Sequence, residues 1–170
     1  MMKSVVDTNV PVVANGSSEQ ASPDCVKTCA VRLGELTQEG QLVLDDKWLI
    51  IKEYIANLRS SGQPGVGDAF LKWVLRNRCN PRLCEQVAIT PKNSEKTDFE
   101  EFPSDPALKD FDPTDRKFVA VAAAHPDRPP ILQAVDTKWW GVKEPLCKAG
   151  ITVHFLCEKD ITAMLHRKGE

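Results

Sequence analysis

A short β-branched run near the N-terminus constrains the fold more strongly than any other segment of the chain. Residues 5–10 read Val-Val-Asp-Thr-Asn-Val, a pattern that predicts a buried strand ending on the carboxylate of Asp7. Because an isolated buried carboxylate is costly, we expect Asp7 to face a cleft, a partner or a metal. In parallel α/β sheets, ligands bind at the carboxyl ends of the strands, where Asp7 is predicted.

Strand and helix patterns alternate along the rest of the chain. Ser22 and Pro23 predict a helix N-cap and first turn, and Gly40 predicts the end of this helix near Gln38. This alternation predicts an α/β fold with a central, mostly parallel sheet and right-handed crossovers. The predicted strands cover residues 5–7, 41–45, 86–90, 131–135 and 151–156. The predicted helices cover about 22–38, 46–60, 68–77, 113–124 and 138–148.

Length and charge fit one domain of ordinary size. The chain has 170 residues, and we treat residues 61–112, which contain a turn-rich break, a basic helix and an acidic loop, as an elaboration of that domain. With 22 basic and 24 acidic residues, the net charge of −2 favours nucleic acid only through a local patch. No segment approaches the roughly 18 apolar residues of a membrane span. The N-terminus has no signal-peptide pattern, so we expect a cytoplasmic protein without membrane contact.

Six cysteines are scattered along the chain. Without a secretory signal, we expect them to be reduced and mostly buried as small hydrophobic side chains. Cys25 and Cys29 are one helical turn apart, and four residues separate Cys79 from Cys84. Neither spacing has the two-residue gap of a typical zinc site, so a zinc site is disfavoured.

The most basic local cluster surrounds Trp73 and ends beyond Pro81. A basic helix edge that carries an aromatic side chain can track a phosphate backbone, although such an edge is more often simply solvated. Lys138 and Lys143, near the end of the fourth predicted strand, add positive charge elsewhere. The candidate phosphate-binding residues are therefore Lys72, Arg76, Arg78, Arg82, Lys138 and Lys143.

Four carboxylates fall at informative places in this pattern. Asp7 and Asp136 end predicted strands, Glu53 lies on the helix after the second strand, and Asp115 lies in a first helical turn capped by Asp112. Each has an ordinary explanation, and Glu53 has no Lys or Arg one turn away. The helix that carries Glu53 is predicted to pack on the core through a stripe of other side chains. Together, the four acids are typical of a site for hard divalent cations, which can hydrolyse phosphodiesters. The predicted buried stripe comprises Trp48, Ile51, Ile55 and Leu58.

Segments 5–10, 48–54, 112–115 and 132–136, taken in this order, resemble the PIN-domain family of nucleases. The resemblance implies a three-layer α/β/α sandwich and cleavage of RNA with Mg²⁺ or Mn²⁺. It also implies that Asp7, Glu53, Asp115 and Asp136 bind the metal. Many bacterial members are toxins that a small antitoxin neutralises, and these commonly form homodimers.

The leading hypothesis is therefore a metal-dependent endoribonuclease in which Thr8 or Asn9 orients a ligand or a water molecule. Ala134 stands two residues before Asp136, where the family usually has Thr or Ser, and Lys138-Trp139-Trp140 follows. This departure motivates an alternative, a PIN-like scaffold that binds protein or nucleic acid without turnover. A nuclease acting on single-stranded or flap DNA is a further alternative.

Overall fold

The computed structural model describes residues 1–61 and 64–169. Within these residues one five-stranded sheet has the order β3-β2-β1-β4-β5, and every pair of neighbouring strands is parallel. This sheet confirms the predicted α/β class. The strands are β1 (Lys3–Val6), β2 (Gln41–Asp45), β3 (Cys84–Val87), β4 (Ile131–Gln133) and β5 (Val153–Phe155).

The strand order reverses direction between β1 and β4. From β1 to β3 the chain adds strands on one side, and β4 and β5 follow on the other. Right-handed crossovers therefore place helices on both faces, which is the three-layer α/β/α sandwich. The helices are α1 (Asn9–Ala14), α2 (Pro23–Glu39), α3 (Leu49–Asn57), α4 (Val66–Asn77), α5 (Arg116–Ala124), α6 (Thr137–Gly141), α7 (Lys143–Lys148) and α8 (Glu158–Lys168).

The core lies between the sheet and the helices on its two faces. Every residue of β2 and β4 is buried, as expected for strands covered on both sides. On the opposing α5, residues 118–122 are all buried, and the small side chains of Ala120 and Ala122 let the helix approach the sheet closely. Helix α2 has the predicted start, because Ser22 Oγ accepts the N–H of Cys25 and Pro23 follows at the first position.

The helix after β2 differs from its prediction in start and orientation. It begins at Leu49 rather than near residue 46, because the Asp45 carboxylate accepts backbone N–H groups at the turn and Trp48 has φ 64°. The predicted buried stripe is also wrong at two positions, since Trp48 is 38% exposed and Ile55 48% exposed. The helix instead packs through a neighbouring face formed by Ile50, Ile51, Tyr54 and Leu58.

Other element boundaries also shift. The first predicted strand stops at Val6, and residues 9–14 form α1 although their β-branched composition favours a strand. The predicted helix over 138–148 is two short helices, and the charged C-terminal segment forms α8, which the sequence analysis did not predict. Three predicted strands are shorter or displaced, namely those at 86–90, 131–135 and 151–156.

Most of the predicted elaboration over 61–112 packs on the domain. The acidic part, expected as a loop or irregular helices, contains a 3₁₀ helix at Pro106–Leu108. Two residues of the predicted turn-rich break, Gly62 and Gln63, lie outside the described residues. Four apolar side chains anchor the acidic part in the core, namely Phe99, Phe102, Leu108 and Phe111.

The expectation that all six cysteines are reduced is wrong. A disulfide joins Cys25 on α2 to Cys157, the residue before α8, whereas Cys29 and Cys84 are buried free thiols. The partners are 132 residues apart in sequence, so only the tertiary fold brings them together. Within the described part of the chain, no helix is long and apolar enough to cross a membrane.

Candidate active site

The four candidate carboxylates belong to four separate segments around the carboxyl edge of the sheet. Asp7 directly follows β1, and Asp136 follows β4, which pairs with β1 through Val6 and Leu132. Asp115 ends a 3₁₀ helix and precedes α5, and Glu53 lies on α3. The strand order reverses between β1 and β4, and this switch point is where open α/β sheets bind ligands.

Asp7 is the most buried of these acids, with 5% of its surface exposed. Burial raises the pKa of Asp7 well above its ordinary value, and the negative charges of Asp115, Glu53 and Asp136 raise it further. The N–H of Asn9 donates to Asp7 Oδ2 over 2.9 Å, which opposes this rise. The four carboxylates are therefore close enough to repel one another through a poorly solvated region.

The pKa of Asp115 is raised by the same two causes as that of Asp7, burial and neighbouring negative charge. Burial raises the pKa of Asp115 to about 6, and the charges of Asp112, Asp136 and Glu53 contribute to the rise. The indole Nε1 of Trp139 donates to Asp115 Oδ2 over 3.3 Å and partly offsets it. A carboxylate held in this way binds either a proton or a cation more readily than a solvated one does.

The two polar residues after Asp7 position neighbouring groups. Thr8 Oγ1 donates to Glu53 Oε2, so the first of them orients a candidate ligand directly. Asn9 Oδ1 accepts the N–H of Val135 over 2.8 Å and thereby ties the end of β1 to the segment that carries Asp136. Asp136 is fixed in turn, because its Oδ1 accepts the N–H of Lys138 at the start of α6.

Lys117 is a member of the site that the sequence analysis missed. The sequence offers Glu53 no Lys or Arg one helical turn away, whereas the structure places Lys117 Nζ from α5 2.7 Å from Glu53 Oε1. The ammonium group also donates to the carbonyl of Thr114, and Lys117 is buried. A lysine two residues after Asp115, directly before the apolar run, was the available signal, because lysine is rarely buried without a partner.

The acids form a loose group rather than a finished ligand cage. In residues 1–61 and 64–169, the side chains whose ligand atoms lie in threes within 4.8 Å of one another are Cys25, Cys29 and Cys157, with no carboxylate triplet. Mg²⁺ and Mn²⁺ nevertheless bind carboxylate oxygens and keep several water ligands, so a few acids suffice. The mutual repulsion around Asp7 is the charge pattern that a divalent cation relieves. This donor set therefore fits such an ion.

A cavity of about 470 Å³ opens beside Asp115. Its walls include Phe111, Asp112, Trp139 and Lys138, so a cationic side chain stands at the opening near the acids. Lys138 is exposed, and its Nζ lies 3.9 Å from Asp112 Oδ2. The cavity gives a polar ligand a route to the half-buried carboxylate of Asp115.

The remaining basic candidates lie farther from this edge or pack on aromatic rings. Arg82 lies in the turn before β3, at the amino edge of the sheet, and Lys72 and Arg76 are exposed on α4. The Arg78 guanidinium lies 4.6 Å from the ring centroid of Trp48. Similarly, Lys143 Nζ lies 3.3 Å from the ring centroid of Trp140. Of the predicted phosphate-binding residues, Lys138 is the one that lines the cavity beside Asp115.

Comparisons of the chain with protein-family models, with curated proteins and with solved structures found no match. The resemblance to PIN-domain nucleases accordingly stays a prediction based on the four sequence segments.

Proposed function

We propose that the protein is a divalent-metal-dependent nuclease that hydrolyses phosphodiester bonds of RNA, an endoribonuclease. The observation that carries the proposal is the meeting of Asp7, Glu53, Asp115 and Asp136 at the switch point of a parallel sheet. Their mutual repulsion contributes to the raised pKa of two of them. Acids held in this way against their own repulsion are typical of functional sites.

Asp7, Glu53 and Asp115 would hold Mg²⁺ or Mn²⁺, with Asp136 completing the site. The ion would activate a water molecule and neutralise charge that develops on the phosphate. The chain itself positions the acids: Thr8 orients Glu53, Asn9 joins the two strand ends, and Trp139 holds Asp115.

Two lysines supply positive charge at different depths. Lys117 is buried and forms an ion pair with Glu53. Its positive charge therefore offsets part of the repulsion among the four carboxylates. Lys138 is exposed at the cavity opening, where an ammonium group can bind a backbone phosphate. The substrate would therefore approach from the side of Asp112 and Lys138.

The biological setting that we propose follows the same resemblance. The protein would act in the cytoplasm as the toxin of a toxin–antitoxin pair, with a small antitoxin as its partner and a homodimer as its assembly. A second candidate function is a PIN-like scaffold that binds without turnover. The Lys117–Glu53 ion pair favours this alternative, because an ammonium group already occupies one face of a candidate ligand.

The decisive experiment compares cleavage of end-labelled RNA and of single-stranded DNA with the same sequence, in the presence of Mn²⁺ or EDTA. We expect metal-dependent cleavage of RNA by the wild-type protein. Asp7→Asn and Asp115→Asn should each reduce its rate at least about 100-fold, because metal ligands contribute several kcal/mol to such reactions.

Asp127→Asn is the matched control, since Asp127 is an exposed aspartate bound to Lys3 and should be dispensable for cleavage. Cleavage of DNA alone would replace RNA by DNA as the substrate. Failure to cleave either strand, in a protein that still binds RNA, would favour the scaffold. Undiminished cleavage by both Asn variants would refute the carboxylate site.

A further inference from the structure

A second cluster of ligand-type side chains lies between α2 and the start of α8. Cys25 and Cys29 project from consecutive turns of α2, and Cys157 precedes α8. Their sulfur atoms all lie within 4.8 Å of one another, and all three residues are buried. Cys25 and Cys157 form the disulfide, and Cys29 Sγ lies 3.9 Å from Cys157 Sγ.

The separation between Cys29 and Cys157 is that of two ligands on one metal ion. Zinc binds thiolates at about 2.3 Å in a tetrahedral arrangement, which places neighbouring sulfur atoms roughly 3.8 Å apart. The 3.9 Å between these two sulfur atoms matches that spacing. When the disulfide is open, Cys25 adds a third sulfur from the next turn of the same helix.

We propose that reduction of the Cys25–Cys157 disulfide converts this cluster into a three-thiolate site for a thiophilic ion of the Zn²⁺ class. A dithiol reductant supplies two electrons and two protons and becomes a disulfide, leaving three cysteine thiols in the cluster. The ion then binds three thiolates, and the three thiol protons pass to solvent. The disulfide and the metal are two alternative links between α2 and α8.

The surrounding hydrogen bonds hold the cysteines in place independently of the disulfide. The Asp160 carboxylate on α8 accepts the N–H of Ser22 over 2.6 Å and its hydroxyl over 2.9 Å. Ser22 Oγ accepts the N–H of Cys25 over 3.2 Å. These contacts keep α8 against the start of α2 when the sulfur–sulfur bond opens, so the ligands are already close together before the ion binds.

A cavity opens next to the residues that hold the cysteine cluster. It has a volume of about 680 Å³ and is lined by Ser22, Asp160 and Met164. Since Ser22 Oγ accepts the N–H of Cys25, this space ends at a hydrogen-bonded neighbour of the cluster, where a thiophilic ion would enter.

The test titrates the full chain with Co²⁺ after complete reduction by a phosphine under anaerobic conditions. We expect a thiolate-to-cobalt charge-transfer band that saturates at one ion per chain and disappears when Zn²⁺ is added. Cys29→Ser should weaken Co²⁺ binding at least about 100-fold, because one of three ligands is lost. Cys147→Ser, which removes an exposed thiol outside the cluster, should bind as the wild-type protein does.

The oxidised proteins check that Cys29→Ser folds, because this variant keeps both cysteines of the disulfide. A thiol assay in denaturant should find four free thiols in the oxidised wild-type chain and one fewer in the variant. Absence of the charge-transfer band in the reduced wild-type protein would overturn the proposal, as would an equal band in Cys29→Ser. Neither result depends on nuclease activity.

Discussion

The two ends of α5 carry clusters of charged side chains that behave in opposite ways. At its start, Asp115 lies with Asp7, Glu53 and Asp136, and the pKa values of Asp7 and Asp115 are raised by burial and by neighbouring negative charge. At its end, His125 Nε2 lies 2.9 Å from Glu85 Oε2. Lys3 Nζ completes the second cluster, at 3.2 Å from Glu85 and 3.1 Å from Asp127.

The contrast separates charges that stabilise the fold from charges that oppose folding when they ionise. His125 first, and then Lys3, lower the pKa of Glu85, and Lys3 lowers that of Asp127, so these carboxylates favour the folded state at neutral pH. The raised pKa of Asp7 has the reverse sign, since ionising this group opposes folding. The proposed divalent ion would offset this cost.

The largest stability change is expected from Lys117→Met. This variant leaves Glu53 without its ammonium partner beside Asp7 and Asp115, and removal of one member of a buried ion pair costs about 3 kcal/mol. The Tm should fall by about 6–12 °C in calorimetry without divalent ions, and Mn²⁺ should restore part of the loss. Lys138→Met is the control, because this exposed side chain should contribute less than about 0.5 kcal/mol. Equal Tm values for both variants would contradict the role of Lys117.

The second-largest effect is expected from divalent ions, which should bind the cluster at the start of α5 and not the one at its end. Mn²⁺ at a concentration of 100 Kd stabilises a protein by about 2.7 kcal/mol if the ion binds only the folded state. This stabilisation raises Tm by roughly 5–10 °C. We expect this rise in the wild-type protein and in Asp127→Asn, and its loss in Asp7→Asn. An identical rise in all three proteins would place the ion elsewhere.

Glu85→Ala tests the stabilising cluster. It leaves the buried His125 Nε2 without its acceptor and should cost about 1–2 kcal/mol, a modest value because Glu85 is one-third exposed and solvent screens its charge. A lowered pKa stabilises the fold above the ordinary carboxyl range and loses that effect as pH falls through the lowered pKa. Urea unfolding should therefore show the deficit at pH 7 and a smaller one in acid, whereas a pH-independent deficit would exclude the ion pair as its cause.

The smallest effect is a gain. Asp7→Asn should raise stability by about 1 kcal/mol, the usual size of a stabilising substitution, because an amide of the same shape removes a buried charge near three other acids. An acid with a raised pKa loses stability as pH rises from its unfolded to its folded pKa, so the advantage of the variant should grow over that interval. Urea unfolding across pH measures it. A loss of stability at neutral pH would show that the Asp7 charge is compensated rather than repelled.

The local sequence was sufficient to predict that five strands form, although not all of their bounds, and to predict the start of α2 and the elements that carry the four acids. Apolar β-branched runs that alternate with helices are typical of a parallel sheet covered on both faces. Ser22 caps α2 through a hydrogen bond to a residue only three positions away, and Pro23 follows it. The carboxyl edge of such a sheet follows from strand direction alone. Asp7, Asp115 and Asp136 could therefore be assigned to one edge before any distance was known.

Tertiary structure decided the features that depend on residues distant in sequence. Residues 9–14 form a helix although their composition favours a strand. Helix α3 packs on the core through a different face from the predicted one, because the Asp45 carboxylate accepts backbone N–H groups at the start of the helix. Lys117 reaches Glu53 across 64 positions, and Cys157 reaches Cys25 across 132. Local spacing carries no information about such pairs, because packing of helices on the sheet determines which side chains meet.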